Sequence, residues 1–193
     1  MSYAGPGLIL TVLFWAVLTL VVAGGVVFSV LAVKGGRWPV IAAAAFLLVA
    51  VVMVGLPHPQ GPALLGALVA LGAVAISAFG GSPAVRTVLS LATRQVVEGE
   101  AGGILVAPRD AVDGEPKREV LRGGLTIGIL ERIATTASIL AGVPEAIAVV
   151  IAVKGVGRFS ELGASEAQER FIIGTFVSLG WAAVCGALAH LAW

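Results

Sequence analysis

From Leu8 to Val33 the chain runs for 26 residues without one charged side chain. A helix needs about 20 mainly apolar residues to cross a bilayer. At about 1.5 Å per residue this run is long enough to cross with a tilt. A cleaved signal peptide fits it poorly. No basic residue precedes the run, and it far exceeds the apolar core of about 7–15 residues that such a peptide carries.

The composition extends that constraint to the whole chain. Of its 193 residues 59% are apolar and 12% charged, with a mean hydropathy of +1.05. Soluble domains average about 45–50% apolar and about 25% charged. Half the usual charge cannot cover a globule, which excludes a soluble enzyme and a disordered chain. A net charge of +1 excludes a nucleic-acid binder, because it gives no field for phosphates. A single cysteine, Cys185, excludes an intramolecular disulfide framework and a cysteine-built zinc site. The expected fold is an all-α, polytopic membrane helix bundle.

Six spans are predicted, in three regions. Residues 1–79 hold three: Leu8–Val33, Trp38–Leu56 after the Lys34-Gly-Gly-Arg37 turn, and Ala63–Phe79 after a turn with three prolines. Residues 80–123 hold no apolar run long enough to cross, and between Gly80 and Gly124 lie six of the twelve basic residues and six of the eleven acids. Within this region Val85, Val88, Leu89, Ala92 and Val96 share one helical face. They predict either a juxtamembrane amphipathic helix over 85–97 or a continuation of the third span. Glu98–Glu119 reads as a loop, with Gly103–Ala107 as a short strand at most. Residues 124–193 hold a short helical hairpin, read as legs Leu121–Gly142 and Ala146–Arg158 that either cross fully or form a re-entrant hairpin stopping partway, and a final helix opened by Ser165 and Gln168 as a capping box. Pro144 and Glu145 suit the start of the second leg.

Basic residues fix the orientation. With six crossings and the amino-terminal end outside, Lys34, Arg37, Arg158, Arg170 and the six basic residues of 80–123 all fall inside, and the outer segments hold no Lys or Arg. The expected location is a bacterial inner membrane, with residues 1 and 193 outside and the 80–123 loop in the cytoplasm.

Charges inside a span are costly and tend to be paired. Around a turn centred between Gly142 and Val143, antiparallel legs bring position 131 opposite position 154. Glu131 and Lys154 then share a depth about 16–18 Å below the turn, which predicts an ion pair between them. Arg132 points about 100° away, toward Glu161, Glu169 or a backbone carbonyl. Glu131, Arg132, Lys154 and Arg158 form the candidate polar cluster. A structural lock of the hairpin takes precedence over an ion or proton site, with Thr135, Thr136 and Ser138 as the lining of a polar path in the second case.

On the last helix Gly174, Ser178, Ala182 and Gly186 repeat every four residues. Such a small-residue seam lets another helix approach closely, in this chain or in a second copy. Gly24, Gly25 and Ser29, and Gly66 with Ala70, repeat the idea more loosely. Trp38 and Trp193 fall at expected interfaces. His58 and His190 fall on the outer side without a third ligand, so no metal site is expected. Cys185 reads as a small apolar residue. No nucleophile–base pair or phosphate loop occurs, so neither catalysis nor a cofactor is expected.

Three stretches, Gly124-Leu-Thr-Ile-Gly-Ile-Leu-Glu-Arg132, Ala148-Val-Val-Ile-Ala-Val-Lys-Gly-Val-Gly-Arg-Phe159 and Glu169-Arg-Phe-Ile-Ile-Gly-Thr175, resemble a family of bacterial, especially actinobacterial, integral membrane proteins of unassigned activity. The resemblance covers about 70 residues and implies importance for Glu131, Arg132, Lys154, Arg158, Phe159, Gly174, Thr175 and Ser178, without an activity. The first three spans resemble nothing.

Two functions follow as expectations. The first is a non-catalytic membrane subunit or scaffold, whose partners are the lipid bilayer and a second copy or another membrane protein. The second is a small ion-, proton- or solute-transporting protein built on Glu131, Arg132 and Lys154. The first leads, because only one segment carries intramembrane charge and no inverted repeat supplies a matching motif in the first half.

Overall fold

Six helices make up the computed structural model, which describes residues 6–92, 124–158 and 165–193. They are α1 (Pro6–Val33), α2 (Arg37–Gly55), α3 (Ala63–Ala92), α4 (Gly124–Leu140), α5 (Ala146–Arg158) and α6 (Ser165–Ala192). Among the described residues there is no strand. The expected loop over 98–119, its short strand, residues 93–97 of the amphipathic segment, the Glu161–Gly163 loop and the Ser165 cap lie outside the described residues or side chains.

Helices α1, α2, α3 and α6 are long and apolar enough to cross a membrane. The hairpin legs are shorter. With 17 and 13 residues they reach about 25 and 20 Å, against a hydrocarbon layer of about 30 Å. The core comes from small and branched residues of the four long helices, including Leu18, Leu47, Val69, Ile76, Cys185 and Leu188. Large apolar residues such as Leu20, Leu48, Leu64 and Leu71 lie exposed on the outside. That inversion suits lipid, where helices associate through packing and hydrogen bonds rather than through the hydrophobic effect.

Packing sets the helix directions. Gly66 of α3 approaches the carbonyl oxygen of Ala192, while Gly174 approaches Val85 and Leu89, so α3 and α6 are antiparallel. Residues 132, 136, 139 and 140 of α4 touch residues 178, 182, 186 and 190 of α6, so these two are parallel. Trp15 ties α1 to the α2–α3 turn by donating to the carbonyl of Pro59 at 3.0 Å.

The third span does not stop at Phe79, and no separate juxtamembrane helix begins at Val85. Helix α3 is continuous to Ala92 with Pro83 inside it, so the continuation is the reading that holds. The boundary drawn at residue 79 cuts one helix. Gly80-Gly-Ser-Pro83 suggests a break, since Pro83 cannot donate to the carbonyl four residues back. Packing overrides it: a Cβ on Gly80 would lie 2.7 Å from the Trp181 ring, and one on Gly81 would lie 2.2 Å from Arg132 Cδ. Partner side chains fill the space against the weak turn.

The hairpin turn matches its expected centre. Gly142 has φ 71°, its amide donates to Ile139, and the Val143 amide donates to Ser138. This is the Schellman pattern that ends a helix at a left-handed residue. Pro144 and Glu145 lie in a turn with i to i+3 bonds that leads into α5, so that helix begins two residues past Pro144.

Candidate functional site

Of the four candidate cluster residues, two are paired across the hairpin. Lys154 Nζ donates to Glu131 Oε2, as expected from equal counts on either side of the Gly142–Val143 bond. Lys154 Nζ also sits 5.8 Å from the centre of the Phe171 ring on α6, within the range of a cation–π contact. Arg158 closes α5, and its side chain lies outside those described.

Arg132 takes a different route. It turns away from the hairpin and is 2% exposed. Its Nη2 donates to the carbonyl of Ala78 and to Ser82 Oγ, both at 2.9 Å, and Nη1 donates to Ser178 Oγ at 3.3 Å. Of the expected partners, a backbone carbonyl is the one found, and Glu161 lies outside the described residues. The guanidinium therefore ties α4 to α3 and α6 through neutral acceptors. Its five donors, spread over a planar fork, allow this, where the three donors of an ammonium all sit on one nitrogen.

A hydroxyl layer continues the tie one turn further. Thr136 Oγ1 is 2.7 Å from Ser77 Oγ and 3.1 Å from the Ala182 carbonyl oxygen, and its proton serves one of them at a time. Ser77 in turn donates to the Arg132 carbonyl at 3.4 Å. Trp181 Nε1 donates to the Ile76 carbonyl at 3.0 Å. Ser29 Oγ and Thr135 Oγ1 are fully buried with no hydrogen-bond partner. Ser138 donates to the carbonyl four residues back and takes no part.

The layer lies far from the carboxyl-terminal end of α6: Ser178 is 14 residues (192 − 178) before that end, or about 21 Å from it. The Arg132 side chain leans toward the amino-terminal end of α4, as helical side chains do, which carries the guanidinium below its own Cα.

The small-residue seam of α6 is used within the chain. Gly174 meets α3, Ser178 bonds Arg132, Ala182 is fully buried, and a Cβ on Gly186 would lie 2.8 Å from Ile139 Cβ on α4. Gly24 and Gly25 likewise lie against Phe46 and Ile76.

The sequence reading missed Ser77, Ser82 and the Ala78 carbonyl. Ser82 could have been found by carrying the α3 helix through Pro83, while Ser77 already lay within the predicted third span as a hydroxyl able to bond across helices. A carbonyl leaves no mark in sequence.

At the opposite end a cavity of about 540 Å³ is lined by Trp15, His58, Gln60 and Trp193 among others. His58 stacks on Phe14 with centroids 5.3 Å apart. None of the charged cluster lines this cavity. Among the described residues no group of His, Cys, Asp and Glu has the makings of a metal site. No family model, curated protein or solved structure matches the chain.

Proposed function

We propose that this protein is a non-catalytic membrane subunit or scaffold of a bacterial inner membrane, in which the charged cluster locks the carboxyl-terminal helices together. The observation that carries the reading is that Glu131, Arg132 and Lys154 are engaged within the chain itself. Glu131 is taken by Lys154, and Arg132 by three acceptors on two helices, with Gly81 packed against its stem. A transport pathway needs charged groups open to water, and here the guanidinium is buried.

In this reading α4 and α5 complete six crossings, residues 6 and 193 lie outside, and residues 93–123 face the cytoplasm. Charge segregation supports it: Lys34, Arg37, Arg86 and Arg170 belong to the helix ends opposite the Pro57–Pro62 turn. The resemblance of the last 70 residues to a family of bacterial membrane proteins belongs to the same proposal.

A double-mutant cycle tests the role of the pair. Glu131→Gln and Lys154→Met are each expected to destabilise the purified protein, by up to about 3–5 kcal/mol where the remaining charge stays buried. The double variant should recover most of the loss in detergent unfolding. Unchanged stability in both single variants, together with loss of a proton or ion flux in vesicles, would replace this reading by transport. Labelling of cysteines introduced at 60, 110 and 190 in a Cys185→Ala background reads the topology, and labelling of position 110 from outside would overturn it.

A further inference from the structure

The α1–α2 turn carries charges that no described carboxylate balances. Gly35 and Gly36 have φ of 105° and 98°, a region that side chains disfavour. They break α1 sharply, and α2 starts at Arg37. The Lys34 and Gly35 amides close α1 on Leu31 and Ala32, which leaves the Lys34 and Arg37 side chains exposed on either side of the bend.

A third cation arrives from α3. Arg86 Nη2 lies 3.5 Å from the carbonyl oxygen of Val33, the residue just before Lys34, and Arg86 too is exposed. Glu131 is held by Lys154. Among the described residues, Lys34, Arg37 and Arg86 have no carboxylate partner. Trp38 follows directly and is 81% exposed, an indole of the kind that seats at the boundary between headgroups and hydrocarbon. Three cations without a described carboxylate partner, two flanking the turn and one reaching it from α3, thus gather with an interfacial indole at one end of the long helices.

We infer that this turn binds the phosphate of an anionic phospholipid, with Lys34, Arg37 and Arg86 around the headgroup and Trp38 against the glycerol and upper acyl region. The chemistry is that of a phosphate diester, which a soluble phosphate would share. The indole and the position at the ends of apolar helices favour the lipid. A zwitterionic headgroup carries its own cation and leaves the three side chains unbalanced, so an anionic one is preferred. The inference requires only that this end reach a headgroup layer, and it is independent of the role given to Arg132.

The test uses the full chain, purified and delipidated in a mild non-ionic detergent, titrated separately with phosphatidylglycerol, phosphatidylcholine and inorganic phosphate. Bound lipid is counted by native mass spectrometry and the unfolding temperature is followed. Phosphatidylglycerol is expected to bind and stabilise, the other two to do neither. Each cation near an anionic surface contributes about a factor of five, so Lys34→Gln/Arg37→Gln/Arg86→Gln should lose on the order of a hundredfold in affinity. The control Arg109→Gln/Lys117→Gln/Arg118→Gln removes equal charge from residues 93–123 and should retain binding. Should the first triple variant not fold, Lys34→Gln/Arg37→Gln keeps the Arg86 contact and should lose about 25-fold. Equal loss in the control, equal binding of phosphatidylcholine, or full stabilisation by inorganic phosphate would each overturn the assignment.

Discussion

The two legs of the hairpin carry two charged residues each and treat them in opposite ways. Helix α4 buries Glu131, Arg132, Thr135 and Thr136 and packs on both α3 and α6. Helix α5 has no buried residue among those described, and its Val149, Val153 and Val156 are 63–80% exposed. Its backbone packs on α4 alone, with Lys154 reaching to Glu131 and Phe171. A charge on α4 is held by a packed layer spanning three helices. A charge on α5 is held by one carboxylate and one ring, at the rim of the bundle. The number of helices that supply partners, rather than the presence of charge, separates a fixed leg from an attached one.

The largest expected effect attacks the packed leg. Arg132→Lys keeps the charge but cannot reach both the Ala78–Ser82 pair on α3 and Ser178 on α6. Losing one or two charge-assisted hydrogen bonds at about 1.5–3 kcal/mol each should lower stability by about 3 kcal/mol or more. Detergent-induced unfolding measures it. A change below about 0.5 kcal/mol would mean that the ammonium is satisfied elsewhere, and the contrast between the legs would collapse. Next comes Gly186→Ala, whose new methyl would lie 2.8 Å from Ile139 Cβ. Overpacking of this kind costs about 1–3 kcal/mol, because Ile139 meets it close to the backbone and cannot swing aside. The same change at Gly180, where an added Cβ meets nothing within 4 Å, should have little effect.

How much of this was legible in the sequence depends on where each partner lies. Glu131 and Lys154 are 23 residues apart across a short turn. Equal rise on both legs and a glycine at the apex turn register into arithmetic. Arg132 finds its α3 partners 50–54 residues away, across a segment whose length carries no geometric information. One of those partners is a backbone oxygen. The other, Ser82, sits in Gly-Gly-Ser-Pro, a pattern that marks a break in water and is overridden here by Trp181 and Arg132 packed on the glycines. The seam on α6 was legible as a packing face. Its partners were not, since a run of small residues states how near a helix can come and leaves open which one comes. The crossings of α4 and α5 were inferred from charge segregation, because their lengths fall below the span a membrane needs.

A smaller effect sharpens the picture inside the polar layer. Thr136→Val keeps the shape and removes the hydroxyl shared with Ser77 and Ala182. Hydrogen bonds between helices in a bilayer average about 0.6 kcal/mol and reach about 1.7, so a loss near 1 kcal/mol is expected by the same unfolding assay. A loss as large as that of Arg132→Lys would move the centre of the tie from the guanidinium to the hydroxyls.

The smallest effect probes the attached leg. Val156 is 80% exposed on α5, and truncating a side chain that touches nothing should change stability by no more than about 0.5 kcal/mol. That holds only while lipid or detergent covers the helix, since a methyl group facing hydrocarbon is replaced by hydrocarbon when it is removed. If a second copy covers α5 instead, Val156→Ala leaves a cavity at a protein interface, and the cost rises to that of a buried deletion, above about 1 kcal/mol. Measuring unfolding across protein concentrations, with the mass of the detergent complex determined in parallel, separates the two cases. A concentration-dependent loss would make α5 an interface between copies and leave α4 as the only leg covered by its own chain alone.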